Sequence, residues 1–403
     1  MDGWVVAAFA FVYVGMILGE IPGLALDRTG VALLGALFLL GTEQVTPAGA
    51  WKSIDVPTIG LLFGLMVVSA QFRLGGFYAE VTRRVVAVEV APRTLLALVI
   101  GVSGLLSAIL ANDIVCLAVT PLLVEGCARK GLNPKPFLLG LACAANVGSA
   151  ATLIGNPQNM LIGQRLSLSF AGYLLDGGVP AALGLAATWW IIIALTRDRW
   201  HAVTAIPGVA HVEFDRWQTQ KGLLVLGLVM AGFLFAPIPR EVLALSAAAV
   251  LLTSRKMASR DLLGLVDWHL LVLFGGLFIV NFAAADRGLL TQASGWLRGA
   301  GVNPQAPALL FIVTVILSNL VSNVPAVMLL LPQATHPLAG PVLALSSTLA
   351  GNLLVVGSIA NLIVLDQAGR LGVTVTWREH ARVGVPVTLA TLAIAAMWLL
   401  VRA

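Results

Sequence analysis

Apolar residues run along this chain in stretches long enough to cross a bilayer, broken mainly by short polar joints. In the first half they fall near residues 4–20, 29–42, 56–72, 135–169 and 177–197. In the second they fall near 221–237, 240–254, 267–285, 338–366 and 381–401. A stretch of about 20 apolar residues is what a helix needs to span the hydrocarbon core. Between the third and fourth stretches of each half sits a further unit, 94–128 and 305–332, apolar on both limbs and polar at its centre. Each reads as a helical hairpin that enters and returns on one side. The polar run Arg197–Lys221, with Pro207-Gly208 and two histidines, is the one linker. The predicted organisation is a first repeat over 1–197, a cytoplasmic linker over 198–220 and a second repeat over 221–403.

The two halves repeat one unusual phrase. Leu106-Ser107 with Asn112 and Pro121 returns 211 positions later as Leu317-Ser318 with Asn323 and Pro332. Phe63-Gly64 matches Phe274-Gly275 at the same shift, and Asp55 matches Asp267 at 212. Beyond the hairpins the shift falls to 202, pairing Gly155 with Gly357 and Asn159 with Asn361. Five crossings per half is an odd number, so the second copy lies upside down relative to the first. The predicted fold is an all-α polytopic membrane protein of two inverted-topology repeats of five spans. Each repeat carries a re-entrant hairpin and a helix broken by glycine, within 135–169 and 338–366. The parity alone leaves open whether the hairpins span fully.

Composition agrees: 59% of the 403 residues are hydrophobic and 11% charged, against about 25% charged in a soluble domain. The net charge of +5 is a matter of sidedness and not a nucleic-acid footprint. Eighteen of the 24 Lys and Arg residues fall on the face opposite the N-terminus and six on the N-terminal face. By the positive-inside rule the richer face is cytoplasmic, with both termini outside. The N-terminus enters an apolar stretch directly and reads as a first span, not a cleaved signal. The predicted location is the cell (plasma or inner) membrane. Cys116, Cys127 and Cys143 are odd in number, in apolar surroundings, and form neither a disulfide framework nor a zinc spacing.

Candidate chemistry gathers at the tips and breaks. Asp113 lies far from the charges that bracket its hairpin, and a carboxylate at such depth is costly to keep ionised, which suits a proton carrier. An N-terminal capping role is the alternative. Its partner position is Val324, so one repeat alone carries the charge. Asn112, Ser322 and Asn323 sit where helix N-termini present free N–H groups to an anion or polar solute. Pro325 suits the first turn of the helix that follows. In the breaks, Thr152, Gly155, Asn156, Asn159, Asn352, Gly357, Ser358 and Asn361 offer backbone carbonyls and polar side chains. Small-residue packing is the bland alternative there. These twelve residues are the candidate substrate site, with no catalytic residue, no metal site and no cofactor beyond a proton or sodium as coupling ion. Gly101-Val102-Ser103-Gly104 spells a serine-hydrolase motif but has no histidine at comparable depth. Cys116, a turn after Asp113, is either a thiophilic contact or a small hydrophobe. Asp55 and Asp267 read as helix N-caps.

Ala111-Asn112-Asp113, Ile154-Gly155-Asn156-Pro157-Gln158-Asn159, Ser322-Asn323-Val324-Pro325 and Gly357-Ser358-Ile359-Ala360-Asn361 together resemble the ion transporter superfamily over the whole chain. That group includes ArsB-type arsenite pumps, NhaD-type sodium/proton antiporters and sodium-coupled carboxylate transporters. The resemblance is closest to ArsB-like anion permeases. Neither tip carries the Ser-Asn-Thr of the sodium-coupled carboxylate group. The resemblance implies a scaffold and a moving transport domain, elevator-like alternating access, and a homodimer. It implies a non-enzymatic secondary transporter of a small anion or oxyacid, arsenite or antimonite first, with proton coupling at Asp113. A sodium/proton antiporter, a sodium-coupled di- or tricarboxylate transporter and, more remotely, an intramembrane hydrolase are the alternatives.

Overall fold

The computed structural model describes residues 3–402 except 22, 198, 203–204, 206–207, 209–211 and 300–302, and omits the side chains of Ala293 and Leu297. The linker residues Pro207 and His211 therefore lie outside the described residues. Among those described, ten α-helices in each half are matched one for one. The first ten are α1 (Gly3–Leu18), α2 (Arg28–Gly41), α3 (Pro47–Ser53), α4 (Val56–Leu74), α5 (Phe77–Ala87), α6 (Pro92–Ile109), α7 (Asn112–Arg129), α8 (Pro134–Ser149), α9 (Pro157–Arg165) and α10 (Phe170–Thr196). Their counterparts are α11 (Arg216–Phe235), α12 (Arg240–Leu252), α13 (Ser259–Leu263), α14 (Trp268–Asp286), α15 (Leu289–Gly299), α16 (Pro307–Val321), α17 (Asn323–Leu330), α18 (Ala339–Ala350), α19 (Ile359–Arg370) and α20 (Trp377–Arg402).

Local chemistry sets the boundaries. Asp55 caps α4 by accepting from Thr58 N at 2.9 Å, and Asp267 caps α14 by accepting from Leu270 N at 2.9 Å. Proline in the first turn opens α3, α4, α6, α8, α9 and α16, where its missing N–H would have had no helical partner. The short helices α3, α5, α13 and α15, absent from the apolar pattern, join the spans.

The repeats interleave instead of folding as two blocks. One layer, the scaffold, crosses α2 with α14 and α4 with α12, flanked by α1 and α11. The other, the transport layer, holds the hairpins α6–α7 and α16–α17, the broken pairs α8–α9 and α18–α19, and the long α10 packed along α20. Glycine sets the scaffold crossings. A Cβ on Gly64 would lie 2.5 Å from the backbone of Ala244, and one on Gly276 would lie 2.7 Å from that of Ala32. These two contacts are symmetry mates at a shift of 212. The register of α4 on α14 is therefore one residue off the 211 read from Phe63-Gly64 and Phe274-Gly275. The doubled Gly275-Gly276 misled the match, and a Cβ on Gly275 meets nothing within 4 Å.

The two glycines of that pair thus have opposite tolerances. Gly276→Ala is expected to destabilise the protein by about 1–3 kcal/mol through overpacking, whereas Gly275→Ala leaves it unchanged. Thermal unfolding of the purified protein in detergent checks both.

Candidate functional site

The two hairpins turn at the same depth as the two helix breaks. α6 ends at Ile109 and α7 starts at Asn112, so the first tip is Leu110-Ala111. α16 ends at Val321 and α17 starts at Asn323, so the second tip is Ser322 alone, with φ at 74°. A left-handed φ on a non-glycine residue stores strain, which collects where a backbone is committed to function. α8 stops at Ser149 and α9 resumes at Pro157; α18 stops at Ala350 and α19 resumes at Ile359. One cavity of about 40 Å3 is lined by the first turn of α7, the second tip and both breaks, including Asn112, Asp113, Asn156, Ser322, Asn323 and Ser358. Hairpins that meet tip to tip from opposite faces are re-entrant, because neither passes the other.

The breaks repeat each other group by group at a shift of 202. Asn156 caps α9 by accepting from Asn159 N at 2.9 Å, and Ser358 caps α19 by accepting from Ala360 N at 3.2 Å. The amide of Asn159 donates to Thr152 O at 3.0 Å and Ser149 O at 3.5 Å. That of Asn361 donates to the equivalent Leu354 O at 3.2 Å and Gly351 O at 2.8 Å. These carbonyls have lost their helical partners, and a membrane interior supplies no water to replace them. Asn159 and Asn361 are therefore braces within the breaks. Thr152 is another: its hydroxyl donates to Ala108 O of the first hairpin. In the second repeat the polarity reverses, and Asn319 of the hairpin donates to Ala350 O of the break at 3.2 Å.

Gly155 and Gly357 serve close approach. A Cβ on Gly155 would lie 2.3 Å from Ser149 O, and one on Gly357 would lie 2.8 Å from Asn319 Oδ1. Asn352 turns away from the cavity, its amide donating to Cys143 O at 3.4 Å. Of the twelve candidates, six line the cavity, and Thr152, Gly155, Asn159, Asn352, Gly357 and Asn361 hold its walls. Cys116 is fully buried and lines no part of the cavity. Ser103 is buried against valines and leucines in a separate crevice.

Two residues missing from the sequence-based site tie the repeats together. Asn146, from the unbroken part of α8, donates to Asn352 Oδ1 at 2.7 Å and Asn361 Oδ1 at 3.2 Å, and accepts from Ser358 Oγ at 2.7 Å. Its counterpart Thr348 in α18 accepts from Asn156 Nδ2 at 3.1 Å and Gln158 Nε2 at 3.2 Å, and donates to Asn159 Oδ1 at 3.2 Å. Each unbroken half-helix thus holds the other repeat's break. A single polar residue in an apolar helix gave no signal beyond its match at the shift of 202. The outer helices complete the cage: Tyr173 of α10 donates to Ala150 O at 2.9 Å, and His380 is buried at the matching position in α20.

The cavity opens toward one face. It shares Asn112, Asp113, Asn156, Pro157 and Leu270 with a cavity of about 170 Å3 lined also by Arg73, Ser69 and Asp267. That cavity shares Arg73 and Leu117 with a vestibule of about 340 Å3 bordered by Arg83 and Glu125. The path leads to the Arg- and Lys-rich face. A vestibule of about 420 Å3 on the opposite face, lined by Lys52, Arg165 and Met328, shares no lining residue with the site. Asp113, in the first turn of α7, is half-buried where the central cavity meets this path. Among the described residues no cluster of three or more His, Cys, Asp or Glu side chains could hold a metal ion.

The family model described as "Citrate transporter" (CitMHS) matches residues 12–342. The chain belongs to this family, within the ion transporter superfamily. Relatives extend along its whole length. The silicon efflux transporter LSI3 of Oryza sativa subsp. japonica is 29% identical, over 96% of this chain and 95% of that protein. An uncharacterised transporter of Mycobacterium tuberculosis, Rv2685, is 30% identical over 93% and 94%. The Alcanivorax borkumensis YdaH transporter shares the fold, with a TM-score of 0.59 and 15% identity over 98% of this chain and 96% of that one. As a CitMHS family member the chain is a multi-pass membrane transporter and not an enzyme.

Bracing and lining are separable by stability. Asn146→Ala strands three buried partners and is expected to cost about 2–4 kcal/mol. Thr348→Val is expected to cost about 1–3 kcal/mol on the same grounds. Asn323 Oδ1 has no partner, so Asn323→Ala is expected to stay within about 0.5 kcal/mol of wild type. Unfolding midpoints of the three variants in one detergent decide the order.

Proposed function

We propose that the chain is a secondary active transporter of a small oxyacid, arsenous acid first, coupled to protons through Asp113 and working by elevator-like alternating access. One observation carries this reading. The cavity at the tips is small, and beside Pro157, Leu270, Val324 and Ile359 its lining offers amides, hydroxyls and a single carboxyl, with no Lys or Arg among its described lining residues. Helix N-termini can hold a weakly acidic hydroxylated solute without a full positive charge. Arsenous and silicic acids are small, hydroxylated and uncharged at neutral pH. A relative that exports silicon supports this class of cargo. Citrate, the cargo in the family's description, would bring several negative charges to a cavity whose own charge is a carboxyl. Protonation of Asp113 would favour one orientation of the transport layer, and release would bias the return. With the Arg-rich face inside, the open path faces the cytoplasm and both termini lie outside.

A second reading, sodium as the coupling ion, has its own support. Ser318 Oγ, Asn319 Oδ1 and Asn323 Oδ1 are buried oxygens without partners, all on the second hairpin. The first hairpin has Ala108 in place of Asn319.

Flux into proteoliposomes under imposed gradients tests both. Uphill arsenite or silicic acid movement driven by a pH gradient, lost in Asp113→Asn, is the expected result. Full gradient-driven transport in Asp113→Asn ends the coupling role. Transport of citrate but not of either oxyacid ends the cargo assignment, and dependence on a sodium gradient moves coupling to the second hairpin.

A further inference from the structure

The faces of the two layers are held together asymmetrically, although the scaffold carries an Asp and an Arg at symmetric positions on both. On the Arg-poor face the α9–α10 turn of the transport layer is gripped by the scaffold. Arg165 Nε pairs with Asp55 Oδ2 at 2.6 Å. Arg240, the first residue of α12, donates to Gly163 O at 3.0 Å and Leu168 O at 2.8 Å. Gln164 donates to Glu241 Oε2 at 2.9 Å, and Phe170 packs on Phe233 at 5.6 Å between ring centroids.

The scaffold has the same Asp and Arg on the Arg-rich face, and there they do not reach the transport layer. Asp267 stands for Asp55 at the shift of 212, and Arg28 stands for Arg240. Asp267 caps its own helix and faces the open cavity beside Asp113. Arg28 donates to Met16 O at 3.2 Å, within the scaffold. The α19–α20 turn, counterpart of the gripped one, pairs Arg370 with its own Asp366 at 2.9 Å. Among the described residues no hydrogen bond or ion pair joins that turn to the scaffold.

We propose that Asp55 and Asp267 are the two halves of an alternating latch, one engaged and one free in each orientation of the transport layer. Here the Asp55–Arg165 and Arg240 contacts close the Arg-poor face while the path on the Arg-rich face stands open. In the opposite orientation Asp55 and Arg240 release the α9–α10 turn, and Asp267 and Arg28 take the α19–α20 turn. The equivalent of Arg165 there is Gln367, so the charged partner for Asp267 is Arg370, three residues on. The orientation described here, with the Arg-poor latch engaged, is the resting one in this scheme. This inference rests on the alternating-access part of the proposed function.

The test is a distance measurement on the full chain in liposomes, with Cys116, Cys127 and Cys143 replaced by Ala. Spin labels at Trp51→Cys on the scaffold and Ala171→Cys on α10 report the gap on the Arg-poor face; both positions are exposed. Wild type is expected to populate a short distance at rest and a longer one when the transport layer moves. Asp55→Asn keeps the helix cap but removes the charge, and should shift the ratio about fivefold toward the longer distance. Arg165→Gln should do the same, and the exchange Asp55→Arg with Arg165→Asp should restore the short distance. Asp267→Asn should shift the ratio the opposite way, a reversal that simple loss of stability does not produce. Two populations whose ratio ignores both aspartates, or moves the same way for both, would overturn the latch alone. A single distance in wild type at every pH, with and without arsenite, would overturn alternating access and the latch with it.

Discussion

A helix that stops in the middle of a membrane leaves carbonyls and N–H groups with no water to satisfy them, and this chain does so twice. Everything near its centre follows from that debt of hydrogen bonds. Asn156 and Ser358 cap the resumed helices, while Asn159 and Asn361 reach back to the abandoned carbonyls. Those side chains are then fixed by Asn146 and Thr348 from the opposite repeat. Each break is held by hydrogen bonds from the other repeat. The duplicated chain therefore builds one site at the point where its copies meet, and most polar residues there are occupied in holding it.

On this symmetric frame the chemistry is asymmetric. Asp113 faces Val324 across the pseudo-symmetry, and Asn319 faces Ala108. The first hairpin thus brings a group that can exchange a proton, and the second brings amide oxygens without partners. The two tips differ in backbone as well, a two-residue turn in one and the single strained Ser322 in the other. At braced positions the divergence keeps a hydrogen bond, as Asn319 does with Ala350 O where Thr152 serves the first repeat. Asp113, Ser322 and Asn323 line the cavity without serving as braces.

Much of this was legible in the chain. The inverted repeats, the hairpins and the polar breaks were visible because a polar residue within an apolar run stands out, and a matching one elsewhere stands out more. The family match and the helical architecture agree with that reading. What stayed hidden depended on packing. Nothing in the sequence separated Asn156, at the cavity, from Asn159, three residues on and directed into the wall. Gly64 pairs with Gly276 because their backbones touch Ala244 and Ala32, a fact that the Phe-Gly coincidence concealed. The resemblance implied a scaffold and a transport domain, but the helix crossings that interleave the repeats were not legible, since they arise from contacts between helices some two hundred residues apart.

That interleaving decides how the site can be used. Because each layer takes helices from both repeats, the surface between layers carries related sets of residues, one near each face. Under the proposed alternating access one set of contacts would be made in each orientation; here the α9–α10 turn is gripped and the α19–α20 turn is not. The two proposed orientations would then differ in energy by the sequence differences between copies, such as Arg165 against Gln367, plus whatever the site has bound. A ligand or proton therefore needs to contribute little to reverse the balance, provided it interacts differently with the site in the two orientations. Under the proposed alternating access Asp113 would meet that condition by position: it would travel with the hairpin, while Asp267, with which it shares the open cavity here, belongs to the scaffold and would stay behind.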